Sequence, residues 1–160
     1  MDIQLRNAGK LIFCICLCEL AGALGTLFTA SAVPTWYAGL ARPALNPPGW
    51  VFGPVWTILY ALMGGAVFLV WKQGWRRREV KRAIGLFSAQ LLANALWSML
   101  FFGMQNPFYA LIDICLLWML ILATMIAFYR ISKPAAYLLF PYLAWVSFAA
   151  YLNYMIYVLN

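Results

Sequence analysis

The sequence predicts an all-α integral membrane bundle of five transmembrane helices. Two observations carry this reading. The first is composition: of 160 residues, 66% are hydrophobic and only 9% are charged. A soluble domain carries about 25% charged residues, so this chain lacks the polar groups to cover a globule in water. The second is the arrangement of the apolar residues. They fall into five segments near or above the ~20 residues that a helix needs to cross the hydrocarbon layer. In lipid each backbone polar group must pair within its own element, so each span is expected to be a helix. The chain reads as a single five-helix domain over residues 1–160.

The first span is expected over about 11–29. It carries Glu19 and lacks a clear small-x-small cleavage site followed by a soluble domain, which argues against a signal peptide. The second is expected over about 47–71, the third over 83–103, the fourth over 107–129 and the fifth over 134–158. Pro47, Pro107 and Pro134 stand at the expected starts of three spans, where the missing N–H costs no hydrogen bond. Asn46 and Asn106 precede two of these prolines and read as N-caps. Pro54 lies inside the second span and is expected to bend it. Residues 30–46 form a long connector containing Trp36, Tyr37 and Arg42. It reads either as a cover over something or as an interfacial anchor.

Charge sets the orientation. Lys72, Arg76, Arg77, Arg78, Lys81 and Arg82 crowd the basic loop 72–82. Arg6, Lys10, Arg130 and Lys133 fall on the same side of a five-span chain, and only Arg42 falls on the other. The excess of Lys and Arg predicts a cytoplasmic basic loop and N-terminus. The basic loop is explained as the solvated flank of a membrane protein, and no nucleic-acid partner is expected.

Several kinds of chemistry are disfavoured. The sequence has no histidine, which removes His-ligated haem, His-bound zinc and any Ser/His or Cys/His nucleophile pair. No phosphate-cradling glycine motif is present. Cys14 and Cys18 share a helical face, but without histidine nearby they read as small hydrophobes. No metal ligand, cofactor or catalytic residue is assigned from these residues.

Polar groups inside spans need an explanation. Glu19 is central in the first span. Asn94 shares a face of the third with Gln90 and Trp97. Asp113 lies in the fourth, and Asn153 lies above Trp145 and Ala149 in the fifth. Each reads either as an interhelical hydrogen bond or as a fixture in a buried ligand site. Trp50, Trp71 and Trp75 fall near span ends, as interfacial belts do. Trp56, Trp97 and Trp145 lie deeper, where flat apolar walls with a few polar tips suit a flat apolar ligand. Gly85, Ala89 and Ala93 form a small-residue ridge that reads equally as a homodimer face or as packing within one chain.

Four stretches make the pattern specific: "WY" at Trp36–Tyr37, "NPPGWVFGPVWTILY" at Asn46–Tyr60, "AQLLANALWS" at Ala89–Ser98 and "PYLAWVSFAAYLNY" at Pro141–Tyr154. In order and spacing they resemble the TspO/MBR family, the bacterial tryptophan-rich sensory proteins and the translocator protein, or peripheral-type benzodiazepine receptor. The resemblance covers essentially the whole chain. It implies a five-helix membrane bundle, often a homodimer, in a bacterial cell membrane. It also implies a pocket for porphyrins, notably protoporphyrin IX, and for isoquinoline or benzodiazepine-type ligands. By resemblance the ligand-binding positions are Tyr37, Pro47, Phe52, Trp56, Tyr60, Asn94, Trp97, Trp145, Ala149 and Leu152. The implied role is tetrapyrrole sensing or transport. The alternative is light- and oxygen-dependent porphyrin degradation, in which Trp56 and Trp145 would be the reactive tryptophans. Asp113 looks like an acid that relatives also carry. One departure stands out. Leu152 and Tyr154 match the start of a cholesterol-recognition pattern, but "MIYVLN" follows without a basic residue, so no cholesterol role is expected.

Overall fold

A computed structural model describes residues 2–160. It contains helices α1 (Asp2–Ala32), α2 (Gly49–Trp71), α3 (Arg78–Ser98), α4 (Pro107–Ile131), α5 (Lys133–Leu138) and α6 (Phe140–Leu159). A 3-10 turn at Tyr37–Gly39 lies in the first connector, and a π-helical turn at Met99–Gly103 continues α3. There is no strand among the described residues. α5 and α6 follow one another as a single span, so five helical spans are long and apolar enough to cross a membrane.

The helices overrun the expected spans because a helix does not stop where the apolar residues do. α1 begins at Asp2 rather than near residue 11, and α3 at Arg78 rather than Ala83. Their leading turns hold Arg, Lys, Glu and Gln, which propagate a helix well outside hydrocarbon. The start of α2 differs in the other direction. Pro47 was expected to begin it, yet α2 begins at Gly49. Pro47 precedes Pro48, whose ring disfavours the α region for the residue before it. Pro48 itself is extended, at φ −56° and ψ 142°. Asn46 therefore does not cap this helix. Its side-chain oxygen instead accepts the Tyr37 hydroxyl at 2.8 Å. Asn106 does cap α4, accepting the Tyr109 N–H at 3.1 Å, with Pro107 in the first turn. The expected fifth span is interrupted at Leu139, just ahead of Pro141, which enters the first turn of α6. Gly74, at φ +119°, makes the turn from α2 towards α3 in a conformation that L side chains rarely adopt.

Close approaches fix the bundle. A Cβ on Gly64 would collide with the Ile15 backbone, so α1 and α2 meet main chain to main chain there. A core of Met63, Val70, Val80, Phe87, Ile121 and Phe128 fills the half of the bundle near the basic loop. In it the Phe87 and Phe128 rings stack at 5.8 Å. The ridge Gly85–Ala89–Ala93 does not lie on one free face. Gly85 is exposed with nothing near its Cβ position, whereas Ala93 is buried in the core.

Candidate functional site

The other half of the bundle, under the 30–46 connector, encloses a cavity of about 450 Å³. α1 contributes Glu19, Gly22, Thr26 and Thr29. α2 contributes Phe52, Gly53, Trp56 and Tyr60. Asn94, Trp97, Phe101 and Phe102 come from α3 and its π turn, and Trp145, Ala149, Leu152 and Asn153 from α6. Tyr37 closes the connector side. Small residues on α1 and α2 shape this space: Gly22 lets the Tyr60 ring lie against α1, and a side chain on Gly53 would meet open space.

The aromatic walls are held by stacking and by polar tips. Trp56 stacks on Tyr60, with ring centroids 5.5 Å apart and planes at 28°. Trp97 stacks on Phe101 at 5.1 Å and 21°. The edge of Phe52 meets Trp145 at 6.0 Å. Tyr60 donates its hydroxyl to the Asn94 carbonyl oxygen at 2.5 Å. The Asn94 amide donates to the Tyr142 hydroxyl at 3.0 Å, which in turn donates to the Gln90 oxygen at 2.9 Å. This chain joins α2, α3 and α6 across the floor of the cavity. The Trp97 indole N–H donates to Asn153 at 3.0 Å, and Asn153 donates to the Pro107 carbonyl at 2.8 Å. Asn94 and Asn153 thus make interhelical hydrogen bonds and line the cavity as well. The Trp145 indole N–H is buried with no partner among the described residues.

Three contacts hold the connector, two of them within it and one to the end of the chain. Tyr37 donates to Asn46, and burial raises its phenol above the ordinary range, so it remains a donor. The Arg42 guanidinium sits 5.5 Å from the Tyr37 ring centroid. Asn160 accepts the Ala41 N–H at 3.0 Å and donates to its carbonyl at 3.0 Å. Trp36 does not line the cavity. It packs edge-on against Phe101 at 5.5 Å and so props the connector from outside.

Sequence model and relatives agree on what this arrangement belongs to. The TspO/MBR family model matches residues 14–159. The chain belongs to the TspO/MBR family. Tryptophan-rich protein TspO of Chlorobaculum tepidum is 51% identical over 150 residues, covering 94% of this chain and 95% of that protein. Translocator protein of Homo sapiens is 42% identical over 135 residues, covering 83% and 79%. Tryptophan-rich sensory protein of Cereibacter sphaeroides is 39% identical over 119 residues, covering 74% and 73%. Together with the five apolar helices, TspO/MBR membership makes the chain an integral membrane protein.

Of the ligand-binding positions expected from the TspO/MBR resemblance, Tyr37, Phe52, Trp56, Tyr60, Asn94, Trp97, Trp145, Ala149 and Leu152 line this cavity. Pro47 does not; it is half-buried in the extended entry to α2. Asp113 is buried elsewhere in the bundle, with one carboxyl oxygen lacking a partner. The α1 wall was not singled out as a wall. α1 is apolar on all sides, so its pattern does not say which face turns inward. Glu19 and the small residue Gly22 were the signals available there.

Proposed function

We propose that this chain binds a flat, apolar tetrapyrrole such as protoporphyrin IX in the cavity beneath the 30–46 connector, and that binding serves tetrapyrrole sensing or transport. The observation that carries the reading is the wall itself. Trp56, Trp97 and Trp145 from three helices face one space of about 450 Å³, within the range of small-molecule sites. Isoquinoline and benzodiazepine-type ligands fit the same description. The names of two relatives, tryptophan-rich sensory protein and translocator protein, point the same way.

Arg42 is the cation of the connector, and we assign it to a ligand carboxylate. The basic loop is assigned to the cytoplasm of a bacterial cell by the excess of Lys and Arg, and the chain is assigned a homodimeric state. Titration with protoporphyrin IX, followed by tryptophan fluorescence, tests the cavity. Replacing both Trp56 and Trp145 by Leu is expected to weaken binding about tenfold, since an aromatic pair is worth about 0.5–1.5 kcal/mol beyond its buried area. Unchanged affinity in that variant refutes the site. A second reading, photo-oxidative porphyrin breakdown, rests on Trp56 and Trp145 bordering the same space. It requires a defined product whose yield collapses in Trp→Phe variants that still bind.

A further inference from the structure

The end of the cavity farthest from the connector holds a group that a flat apolar ligand does not explain. Glu19 lines the cavity from the middle of α1. Among the described residues its carboxyl takes part in no ion pair; the one present is the surface contact between Arg77 and Glu79. No Lys or Arg lines the cavity, and the sequence has no histidine. A carboxyl group at membrane depth is costly unless something meets it.

Its surroundings say what would meet it. Gly22 follows Glu19 by one turn on the same face of α1, and the Tyr60 ring lies directly against it. Tyr60 stacks on Trp56. A carboxyl and two electron-rich rings therefore border one end of the cavity. This is the constellation that recognises an ammonium: the carboxylate takes its charge and N–H groups, and the rings take its C–H face and residual charge. A cation, Arg42, sits at the opposite end over Tyr37. Thr29, ten residues beyond Glu19 on α1, still lines the cavity, and ten helical residues span about 15 Å. The two charges are thus separated along the length of the space.

We propose that Glu19, with Trp56 and Tyr60, forms a subsite for a protonated amine carried by a flat aromatic ligand. The subsite rests on the cavity being the ligand site. It makes the cavity polar along its length, with anionic ligand groups at the Arg42 end and cationic ones at the Glu19 end.

The test uses the full chain in phosphatidylcholine nanodiscs and two probes of matched shape. One is 9-(aminomethyl)anthracene as its ammonium, the other neutral 9-ethylanthracene. Partitioning into empty nanodiscs is subtracted, and binding is read by tryptophan quenching and by displacement of protoporphyrin IX. The wild type is expected to prefer the ammonium by about tenfold, the worth of one charge-assisted hydrogen bond. Glu19→Gln is expected to abolish that preference while leaving the neutral probe within about twofold, and Glu19→Asp to restore part of it. Equal binding of both probes by the wild type overturns the subsite, even if the Glu19→Gln variant does not fold. So does a preference that survives in Glu19→Gln. Either result leaves the cavity standing if protoporphyrin IX still depends on Trp56 and Trp145. If protoporphyrin IX is indifferent to those tryptophans and neither probe displaces it, the cavity reading falls and the subsite falls with it.

Discussion

Gly22→Ala tests the packing that shapes the cavity, because two effects of opposite sign compete there. In a helix interior, Ala is favoured over Gly by about 1 kcal/mol. On that ground alone the substitution stabilises. The Tyr60 ring, however, occupies the place where a Cβ on Gly22 would go. The ring is not free to swing aside. It is stacked on Trp56 and its hydroxyl is bonded to Asn94 at 2.5 Å. Overpacking costs about 1–3 kcal/mol. Losing the Tyr60–Asn94 hydrogen bond adds about 1 kcal/mol, and disturbing the aromatic pair adds about 0.5–1.5 kcal/mol. Against the propensity gain, the net is a destabilisation of about 2–4 kcal/mol. Unfolding free energy measured by dodecyl sulfate titration in mixed micelles reads it directly. The decisive step is a cycle with Tyr60→Ala, which removes the obstacle. In that background Gly22→Ala is expected to turn neutral or stabilising, giving a coupling of about 3 kcal/mol between residues in contact. A Gly22→Ala variant that is stabilised in the wild-type background, or that costs the same in both, refutes the steric account.

Other expectations follow from named contacts. Gly64→Val places a Cβ bearing two methyl groups against the Ile15 backbone, so it is expected to separate α1 from α2 and to lower the yield of folded protein in detergent more than Gly65→Val does, whose nearest neighbour is the Leu138 side chain at 3.6 Å. Asn106→Ala removes the cap on α4 and is expected to cost about 1 kcal/mol in the same titration, whereas Asn46→Ala, which caps nothing, is expected to leave helix content unchanged. Tyr37→Phe and Asn160→Ala each release one tie on the connector, so both are expected to raise the dissociation rate of protoporphyrin IX several-fold in stopped flow.

How much of this was legible in the sequence depends on what kind of signal each element carries. The five spans were readable because lipid demands apolar length, and that demand is written in composition. Their ends were not, because polar helix formers such as those of Asp2–Lys10 carry α1 on past the hydrocarbon. Asn106 was readable as a cap because a single proline follows it. Asn46 was misread because two follow, and Pro48 forbids the helical conformation that Pro47 needed to start α2. Much of the cavity wall was reached through the TspO/MBR resemblance of α2, α3 and α6. The π turn at Met99–Gly103 carries no mark in the residue pattern, yet Phe101 and Phe102 line the cavity from it.

The α1 wall is the instructive case. A helix in lipid exposes apolar residues outward and packs apolar residues inward, so hydrophobic periodicity carries almost no information about its orientation. What does carry information is a residue that lipid would reject. Glu19 is such a residue, and Gly22 is its counterpart in size, a position where the helix gives up volume. Spaced by one turn, they mark the same face, and that face lines the cavity. In a membrane chain the departures from apolar bulk, a carboxyl here and a missing side chain there, locate an inward surface better than the apolar residues around them.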